Sequence, residues 1–124
     1  MSTVELTATD EQIQPYILRI TELDRIIHVP SRLALLTALE AYRPDALYFG
    51  ALQRLTGLSR GNISGHLSRL ERAGLVVVER RVDGKRPRAW ARVTELGAER
   101  VSGHLREMCE IRDALEAIEA EEAK

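Results

Sequence analysis

The residues with the most chemistry to offer lie close together between Ser59 and Arg72, a run that contains Arg60, Gly61, Asn62, Ser64, Gly65, His66, Ser68 and Arg69. A guanidinium can fork onto the O6 and N7 edge of guanine or onto a phosphate, and an asparagine amide can pair with adenine or a phosphate. With Ile63, Leu67 and Leu70 as a buried stripe and about 100° per residue, the opposite helix face carries Gly61, Gly65, Ser68 and Arg72, flanked by Ser64 and Arg69. Two glycines inside a helix cost about 1 kcal/mol each relative to alanine, so the lack of bulk on this face points to a partner that approaches closely. A second group, Lys85, Arg86 and Arg88, surrounds Gly84 with Asp83 as the nearby acid. A basic hairpin tip of this kind suits a phosphate backbone or an adjacent minor groove, where arginine is favoured, and it positions more than it reads sequence.

Charge is segregated along the chain in a way that the overall net charge of -1 conceals. From Arg54 to Arg92 there are 10 basic and 3 acidic residues, a local +7, while the stretches before and after sum to -3 and -5. The middle third is a cationic module between two acidic arms, as expected for a polyanion-binding surface. Other chemistries find little support. His28, His66 and His104 are dispersed, and His104 with Glu107 supplies only half of a metal site, so no metal or other cofactor is expected. No phosphate-binding glycine loop, nucleophile elbow or base–nucleophile pair is present, which argues against an enzyme. The lone Cys109 reads as a small packed hydrophobe in a reducing compartment. With no secretory leader and no membrane-length apolar run, a cytoplasmic location is expected. Trp90 reads as a strand residue packed on the core, not as a base-stacking platform.

The elements that must position these groups follow from periodicity and breakers. Ile13, Ile17, Ile20, Leu23 and Ile27 predict a first helix from about residue 10 to His28. Pro30 stops it, Ser31 is an N-cap type, and Leu33, Leu35, Leu36 and Leu39 line a second helix to about Tyr42. Leu47, Phe49, Leu52 and Leu55 mark a short third helix closed by Gly57, and Ser59 opens the fourth, which Gly74 ends. Residues 75–81 and 88–93 alternate as two strands around a glycine turn, and a long charged helix follows from Thr94. The predicted order is αααα-ββ-α, mainly α with a small β-hairpin.

The stretch from Leu23 to Arg100 resembles the winged helix-turn-helix transcriptional regulators of the broad MarR and ArsR type. The residues that carry the likeness are Leu-Asp-x-x-Ile-His-x-Pro-x-Arg-Leu from Leu23 to Leu33 and Gly-Leu-Ser-x-Gly-Asn-x-Ser-x-His-Leu from Gly57 to Leu67. Leu-Glu-x-Ala-Gly from Leu70, Gly-Lys-Arg-Pro-Arg from Gly84, and the segment Val93 to Gly97, where the group has Leu at position 93, complete it. The resemblance implies that Arg60, Gly61, Asn62, Ser64, His66 and Arg69 sit on a recognition helix, that Lys85, Arg86 and Arg88 sit on the wing, and that the protein is a homodimer on inverted-repeat duplex DNA. Residues 1–9 are then a flexible tail and 10–124 a single domain, with 10–28 and 94–124 as dimerisation helices around a winged helix-turn-helix core over 31–93. The dimer interface is expected from Ile13, Ile17 and Ile20 on the first helix and Val101, Leu105, Met108, Ile111, Leu115 and Ile118 on the last, which repeat as a heptad seam. The function implied is sequence-specific DNA binding by a repressor. The competing expectation is an adaptor that uses the same scaffold to meet an acidic protein. A small-molecule effector is possible on this plan, but no residue points to one.

Overall fold

The computed structural model describes residues 8–123, and the chain divides into two compact units. One unit contains α1 (Ala8–Thr21) and the part of α5 (Glu95–Glu122) from His104 onward. The other runs Asp24–Gly103 and contains α2 (Pro30–Ala41), β1 (Leu47–Tyr48), α3 (Phe49–Thr56), α4 (Arg60–Arg72), β2 (Val76–Asp83), β3 (Arg86–Val93) and the start of α5. Five helices and a three-stranded antiparallel sheet in the order β1-β3-β2 make a winged helix fold. The division between the two units falls within α5.

The core of the larger unit is aliphatic. Ile27, Leu35, Leu36, Leu39, Leu52, Ile63, Leu67, Leu70, Leu75, Val76 and Val101 are essentially inaccessible, and Phe49 is its one aromatic member. Leu35, Leu36 and Leu39 project from one face of α2, and Ile63, Leu67 and Leu70 from one face of α4, the stripe that the helical period requires. The face of α4 opposite that stripe is therefore left for other work.

Several boundaries differ from the sequence expectations, each for a local reason. The first helix stops at Thr21, not His28: the Ile26 amide donates to Asp24 Oδ1 at 3.0 Å and the His28 amide to the Asp24 carbonyl at 2.7 Å. Asp24 thus offers the backbone a turn that competes with helix, and Ile27, on the far side of it, belongs to the core of the larger unit. At the other end α1 already includes Ala8 and continues through Pro15; the remainder of the expected tail, residues 1–7, lies outside the described residues. Pro30 starts α2 as its first residue, with Val29 as the N-cap in place of Ser31, because a fixed φ suits the first helical position. Leu47 is in a strand, not in the third helix: with Tyr48 it pairs to Ala91 and Trp90. The hairpin is also longer than expected, since β2 and β3 stay paired as far as Asp83 and Arg86.

Candidate nucleic-acid interface

The amino end of α4 is fixed by Ser59, whose hydroxyl accepts from the Asn62 backbone amide at 3.2 Å while its carbonyl accepts from Ile63 at 3.0 Å. The carboxyl end closes through Gly74: the Leu75 amide reaches the Leu70 carbonyl and the Gly74 amide the Glu71 carbonyl, the paired bonds that stop a helix in a single turn. Between these two ends Arg60, Gly61, Asn62, Ser64, Gly65, Ser68 and Arg69 are all exposed. A Cβ added at Gly61 or Gly65 would meet nothing within 4 Å. The fold therefore gives no packing reason for either glycine. His66 departs from this set, being half-buried with its Nδ1 enclosed and without a hydrogen-bond partner.

The hairpin joins α4 through three residues and is anchored to it by Glu71, whose carboxylate accepts from the Val78 amide on the outer strand at 2.8 Å. Thr94 ties the return strand to the same turn: its hydroxyl donates to the Gly74 carbonyl at 2.7 Å and accepts from the Gly97 amide at 3.0 Å. Gly97 is obligatory there, because a Cβ would lie 2.1 Å from the Leu75 carbonyl oxygen. At the tip only Gly84 takes a positive φ, of 66°, leaving Lys85 in ordinary backbone space, as a two-residue hairpin turn with glycine first demands. Arg86, Pro87 and Arg88 are exposed, and Pro87 is tolerated because β1 pairs only at Trp90 and Ala91, leaving that edge of β3 unpaired.

Among the described residues Arg60, Arg69, Arg80, Lys85 and Arg86 are exposed and have no acidic partner. Other cations of the module are engaged. Arg81 and Arg92 reach Glu79 at 3.3 and 3.8 Å, and Arg81 also lies over the Trp90 ring at 5.2 Å. Tyr48 receives Arg88 at 5.1 Å and Arg54 at 5.6 Å over its ring, and Arg54 also donates to the Tyr48 hydroxyl. Tyr48 and Trp90 stand 5.5 Å apart and tilted, so Trp90 is a half-buried member of a cation–aromatic stack at the base of the hairpin. Arg88 is therefore drawn toward the sheet, unlike Lys85 and Arg86. Tyr48, Arg54 and Glu71 are positioning residues that the sequence reading does not single out.

The smaller unit holds α1 to α5 through Arg19, whose guanidinium donates to Glu110 at 2.8 Å and Glu107 at 3.3 Å and lies 5.7 Å from the Tyr16 ring centre. The hydrogen bonds to Glu110 and Glu107 hold that guanidinium above its ordinary pKa. Large apolar side chains remain on its surface: Ile17, Ile20, Leu105, Met108 and Leu115 from the expected seam, and Leu18, which that seam does not include. Ile13, Ile111 and Ile118 are half-exposed. Val101 is a correction to the expected interface, since at 1% exposure it is part of the core with Ala98. Cys109 is likewise exposed, not packed, because it falls on the solvent side of α5.

A short supporting helix, a glycine turn, a capped second helix with an acid-free polar face and a basic β-hairpin define the class: a winged helix-turn-helix DNA-binding domain. Residues 31–112 match the winged helix DNA-binding domain family, and the chain belongs to that family. Among solved structures, it is similar to a transcriptional regulator homologue from Pyrococcus horikoshii OT3, with a TM-score of 0.69 and 28% identity over 85% of this chain and 97% of that one. It is also similar to the PcaV transcriptional regulator of Streptomyces coelicolor, solved with its natural ligand, with a TM-score of 0.64 and 25% identity over 94% of this chain and 84% of that one. A MarR-family regulator from Silicibacter pomeroyi shares the fold at 21% identity, with a TM-score of 0.57 over 85% of this chain and 66% of the other. A comparison with curated proteins finds no match. The chain is thus a DNA-binding protein of the kind found in transcriptional regulators. Among the described residues no helix is long and apolar enough to cross a membrane, and no cluster of three His, Cys, Asp or Glu side chains is placed to hold a metal ion.

Proposed function

We propose that the protein is a homodimeric repressor that binds an inverted repeat in duplex DNA, acting in the cytoplasm on the nucleoid. In this reading α4 enters the major groove, with Arg60 and Asn62 directed at base edges and Arg69 at a phosphate. Gly61, Gly65, Ser64 and Ser68 allow the helix to approach, and His66 contributes through its exposed edge. Lys85 and Arg86 at the tip, with Arg88 nearer the sheet, lie along the backbone or in the adjacent minor groove. The observation that carries the proposal is the exposed face of α4, where two glycines with open space beyond them stand among cations, Arg60 and Arg69, that no acid neutralises among the described residues.

The second copy is inferred from the exposed apolar residues of the smaller unit, Ile17, Leu18, Ile20, Leu105, Met108 and Leu115, at 39–51% exposure. Apolar side chains concentrated on two helices favour burial against a like surface. A dimer would present two α4 helices to half-sites about one helical turn apart. Selecting random duplexes with the purified protein and sequencing them tests the proposal. Recovery of a palindrome, with a dimer by sedimentation, supports it. Recovery of no common sequence, with capture of one stoichiometric acidic protein, would turn the reading toward an adaptor.

A further inference from the structure

A cleft of about 450 Å³ in the larger unit is lined by Arg32, Arg69, Arg72, Ile26 and Ala73. Arg32 stands in the first turn of α2, and Arg69 and Arg72 in the last turn of α4, so three guanidinium groups from two helices share one opening. Among the described residues none of the three has an acidic partner. The Nε of Arg32 is buried and has no hydrogen-bond acceptor, and the Nε of Arg72 has only a long contact of 3.5 Å to the Ser68 carbonyl. The amino end of α2 adds to the positive character, since no side chain caps it. Like charges gathered without a counterion repel, and an enclosed N–H without an acceptor forfeits a hydrogen bond that water would have supplied.

The group that relieves both penalties is an oxyanion, whose paired oxygens match the planar fork of a guanidinium. We infer that this cleft is an oxyanion-binding site, with Arg32 of α2 as the ligand off the reading face and Arg69 and Arg72 as ligands contributed by the exposed side of α4. The same chemistry can be supplied by a backbone phosphate of bound duplex, which rests on the proposed DNA-binding function, or by a small free phosphate or carboxylate. In the second case the anion would compete for Arg69 and weaken DNA binding.

The test begins with DNA-free protein titrated with inorganic phosphate against chloride at matched ionic strength, following the arginine Nε–Hε resonances. A saturable shift at Arg32, weakened tenfold or more in Arg32→Gln and in the more exposed Arg72→Gln, supports the site. The slope of log affinity for duplex DNA against log salt is then measured for the same proteins. A slope reduced by about one per protomer in both variants assigns the occupant as a DNA phosphate, even if free phosphate binds too weakly to saturate. An unchanged slope with loss of phosphate binding assigns a free anion. Absence of a saturable shift together with an unchanged slope overturns the inference. If the protein binds no DNA at all, the proposed function fails and the phosphate titration alone decides the cleft.

Discussion

Replacing both glycines of the α4 face with alanine separates folding from function, because the two readouts should move in opposite directions. Neither added methyl meets an atom within 4 Å, so no steric cost accompanies the change. Gly65 lies in the helix interior, where alanine is favoured by about 1 kcal/mol, and Gly61 is in the first turn, where about half of that is realised. The double variant should be more stable by roughly 1.5 kcal/mol, which at a urea dependence of about 2 kcal/mol per molar moves the midpoint up by roughly 0.7 M. Protein concentration must be held fixed, since dimerisation contributes to the apparent stability. Affinity for the selected duplex should fall tenfold or more, about 1.4 kcal/mol, as two methyls intrude where the helix meets the groove. A fall in stability would show that the fold itself needs the glycines, and an unchanged affinity would show that this face does not meet DNA.

Further substitutions probe the supports beneath that face. Gly97→Ala places a Cβ 2.1 Å from the Leu75 carbonyl oxygen and should destabilise by about 1–3 kcal/mol in urea unfolding, as overpacked sites do. Ser59→Ala removes the cap on the Asn62 amide and should cost about 1 kcal/mol, with faster amide exchange confined to the first turn of α4. Leu36→Ala, at a fully buried position, should cost about 2–5 kcal/mol in the same unfolding assay. Glu71→Ala frees the Val78 amide; its hydrogen exchange should accelerate while global stability falls by about 0.5–1.5 kcal/mol.

Features governed by near-neighbour chemistry were legible in the residues themselves. The stripe Ile63, Leu67 and Leu70, the Ser59 cap, the Gly74 stop and the glycine turn at the hairpin tip each depend on a spacing of five residues or fewer along the chain, and each is present. The fold class follows from their order. Features that depend on distant partners were not legible. Leu47 and Tyr48 become a strand only because Ala91 and Trp90 are there to pair with them, and two residues carry no period of their own. The helical spacing of Ile20, Leu23 and Ile27 continues past the real end of α1, since a periodicity argument has no means of weighing the Asp24 turn against one more helical turn. Val101 fits a heptad and also fits the core, and the core takes it.

The candidate site shows the same division. Which cations are neutralised locally was not evident from a count of ten in the middle third, because Arg92 reaches Glu79 from the neighbouring strand, joining Arg81 of Glu79's own strand, and Tyr48 gathers Arg54 and Arg88 from different elements. Among the described residues, what remains without an acidic partner on the α4 face and the wing tip is smaller and more specific: Arg60, Arg69, Lys85 and Arg86.

The most direct test of the α4 and wing assignment is the salt dependence of duplex DNA binding by the wild-type protein and by Arg60→Ala combined with Arg86→Ala. The account predicts that wild-type affinity falls steeply and linearly on a log–log scale, and that the double variant binds more weakly with a slope shallower by about two per protomer. Binding that is insensitive to salt, or a double variant that matches the wild type in both affinity and slope, would contradict it.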